Sequence, residues 1–265
     1  MEHAKSTIEQ ELQDTEETLK NEEEIKEKET ILNELFQLTS QISSDDNPNN
    51  SITDSNMHEK FYASYDHGMG RPLVSLQILK VNHYFLRKRF NDEAIVTVFN
   101  YNKDRLYPIL LGVTRIYNAY QKLKQKGYYT KQDENYKKMK EYADVTSNFL
   151  YNINSMIPNL SGYKATLSNV YRNIHKIKIN ATIEELSNIK DQVEKYIQKL
   201  LETANKIHRR VNSVKFQEFN VLPETEEYYK VFKSINDDDD LQKEIKTTND
   251  YFYKCMAYVR SLIKE

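Results

Sequence analysis

The chain has 265 residues, 29% charged and 38% hydrophobic, with a formal net charge of −2; it holds 20 Tyr, no Trp, 5 Gly, 5 Pro and 1 Cys. Five glycines are about 2% of the chain against a usual ~7%, which excludes sandwiches, barrels and propellers, whose tight turns need positive φ, and also glycine-rich phosphate loops. One cysteine excludes an internal disulfide and a zinc-finger ligand set, so an all-α, long-helix bundle remains.

Residues 4–40 lack Gly and Pro and place Ile8, Leu12, Leu19, Ile25, Ile31, Leu32, Leu35, Phe36 and Leu38 at helical spacing. The early steps follow a coiled-coil seam that loses register at Glu22-Glu23-Glu24. This predicts an N-terminal acidic unit over 1–42: an exposed amphipathic arm, or a helix that forms a loose homodimer through residues 4–40. Residues 43–55 are polar, contain Pro48 and read as a linker to a helical body over 56–265. Gly68-Met69-Gly70-Arg71-Pro72 reads as a turn before a helix, because no strand precedes it and no third glycine follows.

From Pro72 the helical pattern continues to about Asn102, with a possible break at Asn91-Asp92. Asp104 and Pro108 restart a helix that runs to Lys126 and ends at Gly127. The next helix covers about 131–156 and stops before Pro158. Ser161 is the candidate cap of another that reaches about Ile179. Thr182-Ile183-Glu184-Glu185 has the form of a capping box, in which each side chain satisfies an orphan backbone donor. It opens the most regular seam in the chain: Ile183, Leu186, Val193, Ile197, Leu200, Ala204, Ile207, Val211 and Val214, interrupted at Lys190. Such a seam packs on a second long helix at a shallow angle. Pro223 opens a short helix to Ile235, and Asp240 is the expected cap of the last, 241–263. Seven or eight helices and no sheet are predicted.

No catalytic constellation is legible. The six histidines (His3, His58, His67, His83, His175 and His208) are scattered, without an i, i+4 pair for a metal. Asp237 to Asp240 lacks the glycine and closing glutamate of a calcium loop and suits a helix start. Cys255 lies in an apolar helical stretch and reads as a core residue. Asn180-Ala181-Thr182 matches a glycosylation acceptor but is better read as the entry to the capped helix. The reading is therefore non-enzymatic, with no cofactor and no metal.

Charge is the more informative signal. Residues 1–54 carry 15 acidic and 4 basic side chains, a net of −11, whereas 60–222 carry 27 Lys/Arg against 14 Asp/Glu, a net of +13. A basic body beside an acidic arm points to a polyanion partner or to charge pairing within the chain. Three clusters combine cations with aromatic neighbours. Arg87, Lys88 and Arg89 form the first. Lys122, Lys124, Lys126, Lys131, Lys137, Lys138 and Lys140 form the second, and Arg172, Lys176 and Lys178 with Arg209 and Arg210 the third. Lys and Arg neutralise phosphates and release counterions whatever the base sequence, so these are candidate contacts for non-specific binding of DNA or another polyanion. No zinc finger, basic zipper or ribonucleoprotein motif indicates base readout. Most tyrosines recur at helical spacing and read as core or amphipathic surface.

No stretch approaches the ~18 apolar residues of a membrane span. The first twenty residues are polar and acidic, which predicts a cytoplasmic chain or one whose export signal has been removed.

The abundance of Lys, Ile, Tyr and Asn (25 Asn) and the absence of Trp set a distinctive style. Together with runs such as Arg115-Ile116-Tyr117-Asn118-Ala119-Tyr120 and Tyr136-Lys137-Lys138-Met139-Lys140, they resemble the helical paralogous lipoproteins of Borrelia. Within that group the chain is most similar to a small, plasmid-rich family with a coiled-coil-like N-terminal helix before a helical body. The resemblance implies a cell-envelope protein, tied to the membrane only by a lipid anchor on a cysteine outside this chain. It also implies non-specific DNA binding, or, as in the relatives of that family, binding of a host protein as an adhesin or immune-evasion factor.

Overall fold

The computed structural model describes residues 21–39, 92–100, 102–125, 134–214 and 221–263. Within them every regular element is a helix and no strand occurs, so the fold is all-α. In chain order the helices are α1 (21–39), α2 (Asp92–Val98), α3 (Lys103–Gln125), α4 (Glu134–Ser155), α5 (Leu160–Arg172), α6 (Ile174–Asn180), α7 (Ile183–Asn212), α8 (Val221–Asn236) and α9 (Asp239–Ser261). The expected linker at 43–55 and the turn at Gly68–Pro72 lie outside the described residues.

Local chemistry explains the helix ends. The Thr182 hydroxyl accepts from the Glu185 N–H at 3.1 Å while the Glu185 carboxylate accepts from the Thr182 N–H at 2.8 Å, so the predicted capping box opens α7. Elsewhere the caps differ from those expected. Asn102 caps α3, its side chain accepting from the Arg105 N–H at 3.2 Å, so the helix starts just before the expected restart at Asp104, with Pro108 inside it. Asn159, not Ser161, caps α5 through the Gly162 N–H at 3.0 Å. Asp238, not Asp240, caps α9 through the Leu241 N–H at 2.8 Å, leaving Asp239 and Asp240 in the first turn, where they complement the helix dipole. α2 begins at Asp92, with the residues before it outside the described ones, and a break follows it at Asn100. Asn100 has φ 52°, a left-handed conformation that asparagine tolerates. The expected single helix from Ser161 to Ile179 is two, parted at Asn173.

Two helix pairs organise the core. The seam of α7 lies antiparallel on α9: Tyr196 meets Phe252 edge to face at 5.6 Å, Thr203 and Thr248 share a hydrogen bond at 3.1 Å, and Lys206 pairs with Glu244 at 2.5 Å. Ile189 and Tyr196 are buried in that seam, so the register runs past Lys190 without a gap. By contrast α4 and α8 run parallel. Tyr142 stacks on Tyr229 and Phe149 on Phe232, each at 4.1 Å, and the Asn152 amide donates to Asn236 at 3.1 Å. α3 lies close to α8 at Gly112, where a Cβ would stand 2.8 Å from Phe232 Cζ. α5 closes over α9 through Tyr163 and Phe252, 6.1 Å apart.

Cys255 is buried in α9, and desolvation pushes its thiol up to about 12. Its reaction with a thiol reagent at pH 8 is therefore expected only on unfolding, with release that tracks denaturant concentration; rapid modification of the native protein would contradict that burial.

Candidate polyanion-binding surface

α1 does not stand free of the body. Ile31, Leu32, Leu35 and Thr39 form its buried face, and Phe36 meets Tyr171 at the end of α5 edge to face at 5.6 Å. Lys28 lies in the same face with its stem buried while its ammonium holds Glu24 at 2.7 Å. Over 21–39, Ile31, Leu32 and Leu35 are buried in the chain's own core with Phe36 and Leu38 packed against it, whereas Ile25 is 48% exposed.

The acidic side of α1 is aimed at cations. Lys178 on α6 donates to Glu29 at 2.5 Å, and Lys190 on α7 donates to Glu34 at 2.7 Å. The hydrogen bond from Lys178, reinforced by its charge, holds the Glu29 carboxyl below the usual carboxylate range. The hydrogen bond to Glu34 holds the Lys190 ammonium above its ordinary value.

The other clusters are carried by different parts of the molecule. Arg87, Lys88, Arg89, Lys126 and Lys131 lie outside the described residues, and Lys122 and Lys124 belong to the last turn of α3. On the first turns of α4, Lys137 and Lys140 are exposed. Between them Lys138 bonds Glu226 of α8 at 3.2 Å, with its ammonium 5.6 Å from the Tyr142 ring centre. Arg172 closes α5 exposed, and Lys176 on α6 is exposed and engaged in the surrounding polar contacts. Near the end of α7, Arg209 is exposed and Arg210 pairs with Asp238. His208, beside them, is half-buried with Nδ1 3.2 Å from the Arg105 carbonyl oxygen.

The third cluster read from the sequence is thus two. At 1.5 Å per residue, Arg210 lies about 40 Å along α7 from the entry beside Lys178, and Lys138 lies about 20 Å along α4 from Asn152, where Asn236 and the start of α9 approach. Each described cluster gives one cation to an internal carboxylate and holds at least one exposed neighbour: Lys137 and Lys140 beside Lys138, Arg172 near Lys178, and Arg209 beside Arg210. Lys190 and Lys206 were not among the expected contacts. In the sequence Lys190 is visible only as a break in an apolar seam.

These pairs carry a pH signature. Glu29 and Glu226 are depressed by hydrogen bonds from Lys178 and Lys138, Glu185 by the Thr182 N–H, and Asp238 by the Leu241 N–H and then by Arg210. A carboxylate with a lowered folded value stabilises the fold above its unfolded pKa and loses that contribution as pH falls through the folded one. Stability is therefore expected to hold above about pH 5 and to decline steadily below it. Urea midpoints between pH 7 and 3 measure this, and a decline that begins above pH 6 would assign it to other groups.

An open cleft of about 390 Å³ lies between α6, the start of α7 and the end of α9, with Asn173, Asn180, Asn188 and Ser261 in its lining. Among the described residues no group of His, Cys, Asp and Glu could hold a metal ion, and no helix is long and apolar enough to cross a membrane. Compared with family models, characterised proteins and solved structures, the chain matches none.

Proposed function

We propose that this is a non-enzymatic helical protein that binds DNA or another polyanion without sequence specificity. What supports the reading is the segregation of charge, a net of +13 over residues 60–222, combined with exposed cations on three separate helices: Lys137 and Lys140, Arg172, and Arg209. Cations spread over tens of ångströms suit a long, regularly charged partner better than a compact anion, and none is arranged to read base edges. A location in the bacterial cell envelope, by a lipid anchor outside this chain, is carried by the resemblance to the Borrelia lipoproteins.

Mobility shifts with two unrelated duplexes test it. Equal affinities are expected, falling steeply between about 50 and 200 mM salt. Affinity that ignores salt, or no shift at any salt, would overturn the reading.

A second reading is an adhesin or immune-evasion protein that holds a host protein. It is favoured by large apolar side chains left in solvent, Ile179 at 78% exposure, Tyr171 at 67% and Tyr253 at 56%, since exposed tyrosines are enriched at interfaces. Capture of a host serum protein without any DNA shift would decide for it.

A further inference from the structure

We infer that α6 and the first half of α7 form an anion seat, and that Glu29 and Glu34 of α1 occupy it from within the chain in the places of two phosphates. The inference rests on the polyanion reading above and narrows it to Lys178 and Lys190. Each of these lysines, from a different helix, reaches a different carboxylate of the same acidic helix. The two glutamates stand five residues apart, about 7.5 Å along the axis of α1. An ammonium group donates to any oxygen within reach, so a phosphate oxygen can replace a carboxylate oxygen at either lysine without rebuilding the site. Arg172 and Lys176 are exposed on the neighbouring turns of α5 and α6, extending the positive field beyond the two lysines.

Charge is only part of what holds α1. Its buried face, Ile31, Leu32 and Leu35, and the Phe36–Tyr171 contact anchor the helix without any ion pair. The helix therefore stays seated while its two carboxylates and an external polyanion compete for the same ammonium groups. In this arrangement α1 lowers the affinity of the seat without closing it. Glu22 and Glu23, exposed on the same helix, supply the control, because they add equal negative charge away from the two lysines.

The test uses the full chain and a 30-base-pair duplex of arbitrary sequence, followed by fluorescence anisotropy near 100 mM salt. E29Q/E34Q is expected to tighten binding about five- to tenfold, whereas E22Q/E23Q, with the same change in net charge, changes it less than about twofold. Adding K178A/K190A to the first variant is expected to erase the gain. Glutamine keeps the shape and helix propensity of glutamate, and the far-ultraviolet circular dichroism of each variant checks that the fold is retained. Equal gains from both glutamate pairs, no gain from E29Q/E34Q, or a gain that survives loss of the two lysines would each overturn the seat while leaving polyanion binding in place. If neither the native chain nor any variant binds the duplex or heparin, the polyanion reading itself fails, and the seat with it.

Discussion

Replacing Phe252 by alanine is expected to remove about 3–5 kcal/mol of folding stability, read as a lower urea midpoint at an unchanged slope. Phe252 is fully buried in α9 and touches Tyr163 of α5 and Tyr196 of α7, so one ring joins three helices. Truncation would leave a cavity walled by two large rings that have no room to collapse into it. The tyrosines themselves should respond unequally. Tyr196 donates its hydroxyl to the Met156 carbonyl at 3.1 Å, and Tyr196→Phe forfeits that bond at a cost of about 1 kcal/mol. The Tyr163 hydroxyl is equally buried but has no hydrogen-bond partner among the described residues, so Tyr163→Phe should be neutral or stabilising. Exposed Tyr253, next in sequence to Phe252, should tolerate alanine within about 0.5 kcal/mol. A loss below 1 kcal/mol for Phe252→Ala would show that the three helices do not meet as described.

Gly112 provides the second large effect, of opposite kind. A glycine inside a helix normally gains about 1 kcal/mol of stability on replacement by alanine. Here a Cβ would meet the Tyr228 ring and stand 2.8 Å from Phe232 Cζ, and Phe232 is itself held by its stack on Phe149. Phe232 cannot swing aside without breaking that stack, and Tyr228 is itself buried. Gly112→Ala is therefore expected to lose about 1 kcal/mol net, and Gly112→Val about 3 kcal/mol. Thermal denaturation of the two variants checks the order. A stabilised Gly112→Ala would mean that α3 and α8 are further apart than this packing allows.

Much of the helical organisation was legible in the residues because it is locally determined. The seam from Leu186 to Val211 repeats at steps of three and four, and the Thr182–Glu185 box needs only neighbours in the chain. The cap shifts, from Ser161 to Asn159 and from Asp240 to Asp238, arise where several capping residues stand together and tertiary contacts choose among them. The pair Arg210–Asp238 makes that choice visible, since the residue that caps α9 is also the one that meets the guanidinium of α7. The candidate surface was less legible. Segregated charge can be counted along a sequence, but its cancellation cannot. Lys178 meets a glutamate 149 residues away and Lys138 one 88 residues away, so nothing near either lysine distinguishes it from its exposed neighbours. An acidic stretch with an apolar stripe likewise suits a free arm, a dimer helix or a seated one. Burial of Leu32 and Leu35 shows that residues 21–39 are seated on the body.

The parallel pairing of α4 with α8 has a kinetic consequence. Parallel neighbours cannot be joined by a short turn, and contacts such as Asn152–Asn236 and Lys138–Glu226 bridge 84 and 88 residues. The antiparallel pair α7 and α9 needs loops of only 28 to 45 residues for Arg210–Asp238 and Thr203–Thr248. Loop closure costs entropy that rises with length, and folding slows as contacts become less local. The α7–α9 pair is thus placed to assemble first and to offer a template on which α8 settles. The contacts between α4 and α8, Phe149–Phe232 among them, are the less local set and are expected to form after those of the α7–α9 pair.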